Sequence, residues 1–574
     1  MGIIKRGRCC DVLAAVVLAV VSLMGSPVTA QQLPSGAGPE RGIQRPEPQV
    51  PALPQGQGAP LSLPRVVPLP VPVLPDQRFV LESVTITGAT VYDTEALAPT
   101  YRAMLGQEIP LAEVYGIANR ITARYQADGY ILSQAFVPAQ EVTGGQVTIN
   151  VVEGAIGSYR IEGDPGGNRG QVESYAKQIL KSRPLTDSDL ERYLLLINDL
   201  PGAALRAFVA PSRAGLASAE LILQTGAKAT SGVVGLDNRG SEFFGPGQAY
   251  GTVALNAPFG LGEMIEISPL ITGSSGIESI GGFASWRQPI FSDGAYLLGF
   301  VAGSHTRPGG PLDDFDLRGE AFLGTVAVGY PLIRELDRYL FITGEIEVVE
   351  LTEDINEDDE FLRDSLRIAR AGLAFGQSDF WGGENYLELS LGFGLDILGA
   401  SDDDDPRRSR TNADSSFTNF RFGASRRQLL DFITPNLSLL IGVTGQLSPD
   451  PLPSSEEFGL GGAIYLRGYD PFDIAGDYGI AGRAELRYEV PIEDRSFLNA
   501  LEIFAFYDAG KIWNHDTIAG ELSDGSLTSL GGGLRTTVAR NFIGSVYVAQ
   551  PLTREVTARG DKDTRFFFQL GYVW

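Results

Sequence analysis

Arg565-Phe566-Phe567-Phe568-Gln569-Leu570-Gly571-Tyr572-Val573-Trp574 closes the chain and decides its fold. Phe566, Phe568, Leu570, Tyr572 and Trp574 make one continuous apolar face, while Arg565, Gln569 and Gly571 lie on the other. A period of two is that of a strand, whose successive side chains point to opposite faces. A soluble domain rarely leaves such a strand as its last residues. As the closing strand of an outer-membrane barrel, ending on an aromatic that the barrel-insertion machinery reads during assembly, it has a purpose.

The same alternation recurs upstream. In Leu387 to Ile397 every odd position is apolar and every even one is polar or glycine. From Ile480 to Ile492, Ala484, Leu486, Tyr488 and Val490 face one way, and Arg483, Glu485, Arg487 and Glu489 the other. Leu437 to Ser448 and Leu340 to Glu350 repeat the scheme. A soluble sandwich also alternates. Dense charge on the minor face, aromatic residues near strand ends and acidic intervening loops favour a lipid-facing exterior and a wet lumen. Residues 228–574 give room for about sixteen antiparallel strands of about ten residues with their turns.

The start of the chain reads as a secretory leader, residues 1–30: basic Lys5, Arg6 and Arg8, a short apolar run from Val12 to Met24, and a Val28-Thr29-Ala30 cleavage site. Both cysteines, Cys9 and Cys10, precede the apolar run, so the mature chain holds no disulfide, thiolate or cysteine metal site. Removing three positive charges and Asp11 takes the net charge from -25 to -27, a poor match for nucleic acid. Residues 31–77 carry 12 prolines and read as an extended linker in which no helix of useful length fits.

Two copies of one small α+β module follow, at 78–154 and 155–227, each in the order β-α-α-β-β. In the first, Phe79 to Gly88 reads as a strand, Thr94 to Leu105 as a short helix and Leu111 to Asp128 as a longer one, ended by Gly129. Strands at Gln134 to Val142 and Gln146 to Val152 complete it. The second repeats this with Ser158 to Glu162, helices Gly170 to Lys181 and Thr186 to Leu200, and strands Leu205 to Ala210 and Ser218 to Gln224.

The candidate site lies near the C-terminus. Pro449 to Tyr478 is a 30-residue stretch between two strands, rich in apolar residues and holding Leu466-Arg467-Gly468-Tyr469. A stretch of that length is functional or disordered, and its apolar content argues that it folds back onto the protein. Phe506-Tyr507-Asp508-Ala509-Gly510 follows on an alternating strand. Its phase puts Asp508 on the lumen face with Glu502, Phe504, Phe506 and Gly510. Arg467, a permanent cation with a planar fork of donors, is the expected partner of Asp508. In a wet lumen such a pair is worth about 0 to 1 kcal/mol, against about 3 to 5 for loss of one partner in a dry site; the wetter end is expected.

Other chemistry is scarce. The acidic runs Glu353 to Glu360 and Asp402 to Asp405 lack a spaced ligand pattern and read as solvated loop tips, so no metal is expected. His305 and His515 are the only histidines, and no nucleophile elbow, metalloprotease helix or phosphate loop occurs, so neither a cofactor nor an enzymatic activity is expected. Asp237-Asn238-Arg239 reads either as a recognition site or as a barrel-strand entry with a turn.

Together these pieces resemble the two-partner-secretion outer-membrane transporters of the haemolysin activation/secretion family, over residues 78–574. The two modules look like POTRA domains, and Gly235 to Ser241 resembles the family's first barrel strand. The resemblance implies that Arg467, Gly468 and Tyr469 form the tip of a loop folded into the lumen and anchored on Asp508 and Gly510. It also implies periplasmic POTRA domains that recognise one large exported adhesin- or haemolysin-like partner, passed through the barrel without nucleotide hydrolysis. A barrel-assembly insertase of the same superfamily is the alternative, though those usually carry more POTRA domains than two. Many relatives plug the pore with an N-terminal helix. The prolines of residues 31–75 speak against one here and leave the inward loop as the main obstruction.

Overall fold

The computed structural model describes residues 34–42, 77–211, 218–274, 276–356, 358–402, 404–410, 412–515, 517 and 522–574; the expected leader and most of the Pro-rich stretch lie outside them. In the first module the strand expected over Phe79–Gly88 is two. Arg78–Val80 pairs with Glu108–Pro110, and Ser83–Thr87 runs parallel to Gln146–Val152. The chain switches sheets at Leu81, which is fully buried. The helix expected from Thr94 stops at Leu97 and continues as two 3-10 turns, because Pro99 has no N–H to donate into an α-helix. The strand at Gln134 ends at Phe136, just before Pro138.

Helix Leu111–Ala127 closes at Gly129 (φ +90°), as expected for a left-handed cap. It presents Val114, Ile117, Ala118, Ile121 and Tyr125 at helical spacing to Val147, Ile149 and Val151 of the sheet. Each fully buried aliphatic contributes about 1.5–3 kcal/mol, which is what holds so small a unit together.

The second module folds alike. Helices Arg169–Ile179 and Asp187–Asn198 cover a sheet in the order Ala155–Gly163, Ser218–Ala227, Ala203–Pro211, with Thr186 Oγ1 accepting the Asp189 N–H as N-cap at 3.2 Å. The nine-residue strand Ala203–Pro211 is therefore a sheet edge, and Phe208 on it is half exposed.

Among the described residues sixteen antiparallel strands then close a barrel, from Thr230–Asp237 to Arg565–Val573. Alternation sorts the side chains: Val326, Val328 and Ile346 project outward and exposed, Ala327 and Glu347 inward and buried. On the final strand Phe566, Leu570 and Tyr572 face out, Phe568 is partly covered, and the Trp574 ring lies over Gly232, where any Cβ would meet it at 2.5 Å. This last strand meets the first through only five residue pairs, Gln569↔Asp237 to Val573↔Val233. The strands Arg338–Ile355 and Asp358–Ser378 have 18 and 21 residues, well beyond the roughly 9–11 that cross a bilayer. Their hairpin stands above the wall with Ile355 paired to Asp358 at its end, so the acidic run lies at the hairpin tip as expected, although Glu353 itself is buried.

The second module is fastened to the barrel's short-turn end. Arg334 makes a bidentate pair with Asp199 at 2.7 and 2.8 Å, and Arg192 Nη2 donates to the carbonyls of Asp293 and Pro331 at 2.9 and 2.7 Å.

One expectation needs correcting. Residues 34–42, within the stretch read as a linker, lodge against the inner wall at the long-loop end. Ala37 is fully buried with Phe243, Leu312 and Leu317, Ser304 Oγ donates to Pro39 O at 2.8 Å, and Arg41 lies 3.8 Å over the Phe472 ring. Proline does keep the segment from forming a long helix, since it holds only the 3-10 turn Pro39–Gly42. A compact segment of turns takes up lumen space as a helix does, so the inward loop is not alone there.

Candidate functional site

The 30-residue stretch leaves the strand Leu437–Leu447 and returns in Tyr478–Glu489. It is neither structureless nor outside the barrel. A 3-10 turn, Ser454–Glu456, is followed by a small hairpin of Phe458–Leu460 against Ile474–Gly476, which carries the tip inward. Leu460, Leu466, Tyr469 and Ile474 pack with Ala481, Ile512 and Leu527 of the wall.

Each residue of the tip has a distinct task. Leu466 takes a left-handed conformation (φ +60°), costly for a branched side chain. It fits because Gly510 leaves room: a Cβ there would meet Leu460 and Leu466 at 2.9 Å. Arg467 then points to the wall. Its Nε and Nη2 donate to the two oxygens of Asp508 at 2.9 and 2.8 Å, its main-chain N–H donates to Asp508 Oδ2 at 3.1 Å, and Nη1 donates to Glu485. Its guanidinium stacks 3.6 Å from the Phe506 ring. Gly468 passes against the wall, where a Cβ would come within 3.0 Å of Ser529. Tyr469 Oη reaches the carbonyls of Thr528 at 3.2 Å and Arg554 at 3.3 Å.

The structure thus brings Arg467 and Asp508 together, with Phe504, Phe506 and Gly510 on the phase expected. The surroundings differ from the expectation. Arg467, Glu485 and Asp508 are 4 %, 1 % and 0 % exposed, so the pair sits in a dry pocket and not in open lumen water. Burial makes it sensitive to loss of either partner, because an orphaned ion there keeps its desolvation cost.

Several participants carried no separate signal in the sequence. Glu485 also accepts from Arg487 at 2.6 Å and Arg535 at 2.8 Å. Strand alternation had placed Glu485 on the polar face, but only the closed barrel shows that Arg535 of another strand meets it. A second anchor was missed altogether. Glu456, fully buried, accepts from Arg370 at 2.8 and 2.9 Å, from Arg421 at 2.8 Å and from Asn419 at 2.9 Å. Asp470 of the same loop pairs with Arg565 at 2.5 Å.

Asp237, Asn238 and Arg239 lie at the far end of the first barrel strand, not at its entry, and Asp237 Oδ1 accepts the Arg239 N–H at 2.9 Å to form a turn. Asn238 extends the short seam with its side chain, donating to Phe566 O at 2.9 Å and accepting from Phe568 N at 2.8 Å. Below the loop the lumen is open. One cavity of about 460 Å³ lies between the second module and the wall, lined by Leu196, Asp199, Arg287, Phe341, Glu345 and Arg421, and another of about 380 Å³ lies beside Arg467, Phe504 and Tyr547.

The family model described as haemolysin secretion/activation protein ShlB/FhaC/HecB matches residues 220–536 of this chain, and that of the ShlB-type POTRA domain matches residues 79–154. The chain belongs to this haemolysin secretion/activation family. It is 24 % identical over 470 residues to the heme/hemopexin transporter protein HuxB of Haemophilus influenzae strain 86-028NP, covering 81 % of each chain. With the outer membrane transporter CdiB of Escherichia coli the identity is 24 % over 494 residues, covering 83 % of this chain and 79 % of CdiB. The solved structure of CdiB from Escherichia coli superimposes with a TM-score of 0.72 at 22 % identity, over 90 % of this chain and 94 % of that one. The protein is an outer-membrane β-barrel transporter of the two-partner-secretion kind, with its POTRA region in the periplasm. These relatives are named as transporters, and the family description gives secretion and activation, which favours the transporter reading over the barrel-assembly alternative.

Proposed function

We propose that this transporter exports one cognate, large adhesin- or haemolysin-like protein, recognised by its POTRA domains and passed through the barrel once the inward loop yields. The carrying observation is the buried grip of Arg467 on both oxygens of Asp508, which holds a folded loop across the lumen. A loop fixed by a few charged contacts has two discrete arrangements, docked and withdrawn, and a passing chain selects the second.

Recognition is assigned to residues 78–225, where the edge strand Ala203–Pro211 offers unpaired main-chain groups beside the exposed Phe208. An unfolded partner adding a strand there gains affinity from main-chain hydrogen bonds and choice from side-chain pockets. The exposed aliphatic belt meets outer-membrane lipid, and the terminal strand Phe566, Phe568, Leu570, Tyr572, Trp574 addresses the chain to the barrel-assembly machinery. In this reading folding of the partner outside the cell drives export, with no catalytic group and no nucleotide.

The test compares secretion of the product of a neighbouring frame encoding a very long β-helical protein, in cells with and without this transporter. Purified residues 78–225 should bind the N-terminal part of that product. Secretion that persists without the transporter overturns the assignment, and binding to the barrel alone moves recognition away from the POTRA domains.

A further inference from the structure

Asp508 has a second cation in register with it. Arg483, on the strand Tyr478–Glu489, is the residue directly opposite Asp508 in the antiparallel pairing with Leu498–Trp513. Directly opposed positions share a face, with Cβ atoms about 4.5–5.5 Å apart. Arg483 nevertheless makes no ion pair among the described residues; its guanidinium lies 5.1 Å from the Tyr465 ring, and its buried Nε has no hydrogen-bond partner.

The reason is that the loop occupies the site. Arg467 holds both Asp508 oxygens, and Tyr465, two residues earlier on the same tip, covers Arg483. Withdrawal of one tip therefore uncovers both wall residues at once. The neighbouring carboxylate would not suffer, since Glu485 keeps Arg487 and Arg535. Asp508 would, because among the described residues its carboxylate accepts from Arg467 alone. Lys511 is engaged with Asp524 at 2.9 Å, and Arg535 is shared between Glu485 and Glu502. Arg483 remains, together with Ser529, the residue opposite Asp508 on the other neighbouring strand, whose buried hydroxyl is also without a partner.

We propose that Arg483 is the positioning residue of the withdrawn state: it leaves Tyr465 for Asp508 when Arg467 departs, with Ser529 as an auxiliary donor. The exchange keeps the Asp508 carboxylate paired in both loop positions. Without it, the withdrawn state would carry an unpaired carboxylate on the barrel wall and be less populated, and the loop would yield less often. The barrel wall then holds two interchangeable pairings of one acid, one to the loop and one to itself.

The inference rests on the reading that the tip leaves Asp508 during export, and its test needs no exported partner. Arg483→Met and Asp508→Asn are combined in a double-mutant cycle on the full-length protein in lipid vesicles, with urea unfolding as readout, once with Arg467 present and once with Arg467→Ala. Little coupling is expected with the loop anchored, and a coupling of about tenfold in the unfolding equilibrium without Arg467. Arg483→Lys should restore most of the loss in the Arg467→Ala protein, as a merely space-filling role would not. If Arg483→Met does not assemble, Arg483→Gln takes its place in the same cycle. Equal coupling in both backgrounds, or none in either, overturns the exchange while leaving secretion by Arg467→Ala as the separate test of loop withdrawal.

Discussion

Truncating Arg467 to alanine removes two side-chain hydrogen bonds to Asp508, one to Glu485 and a ring contact with Phe506, all in a pocket where Asp508 is 0 % exposed. Breaking a buried pair from one side costs about 3–5 kcal/mol, and this cost falls on the docked loop, because the withdrawn loop never had the contacts. The docked-to-withdrawn ratio should drop by roughly a hundredfold or more. Planar-bilayer recording of the purified barrel measures this as a rise in the fraction of time at high conductance. Heat-modifiable migration on gels should survive, since the wall strands keep their pairing, and secretion should fall because the loop no longer returns to a defined position. Asp508→Ala should behave alike, and the double variant should be little worse than either single one, as expected when two residues share one interaction. Unchanged conductance in Arg467→Ala, or strictly additive secretion losses, would refute the loop anchor.

Glu456→Gln should weaken docking at the second anchor by about 2–3 kcal/mol, as expected for charge-assisted hydrogen bonds; because its donors Arg370, Arg421 and Asn419 are not partners of Arg467 among the described residues, its effect on open time should multiply with that of Arg467→Ala. Burial raises the Asp473 carboxyl, on the loop, to about 6, with Asp470 adding to the effect against hydrogen bonds from Thr557. A raised value favours the docked loop most below the ordinary carboxyl range and loses that advantage as pH rises through about 6, so openings should become rarer from pH 7.5 to 5. Asp473→Asn should flatten this profile, and a pH profile unchanged by that substitution would remove Asp473 from the account. Deleting residues 34–42 should increase single-channel conductance, since Ala37, Pro39 and Arg41 occupy the lumen; conductance equal to that of the intact chain would show that the segment leaves ions a free path. Asn238→Leu removes two hydrogen bonds from a seam of five residue pairs and should lower the temperature at which the barrel unfolds on gels.

Alternation along Ile480 to Ile492 and Arg565 to Trp574 was enough to derive a barrel, because lipid outside and a polar lumen inside impose the period on every strand independently. The tandem modules were equally legible, since helix spacing and caps such as Thr186 are local. Where local signals compete, boundaries moved: Pro99 and Pro138 shortened a helix and a strand that the apolar pattern would have continued.

The chain's sequence also determined which face Asp508 occupies, and the length and apolar content of the loop carrying Arg467. Only the tertiary structure decided that the two meet in a dry pocket, that Glu456 reaches Arg370 and Arg421, and that residues 34–42 return to the barrel. Those are contacts between segments far apart in the chain. Which distant charges meet depends on register and on how far a loop folds inward, and neither leaves a periodic trace in the residues themselves. Dryness, likewise, belongs to no residue: Arg467 reads as a solvated cation until the buried Leu466 beside it and the Phe506 ring beneath it are seen at its site, and the packing turns a weak surface pair into the element on which the loop's position depends.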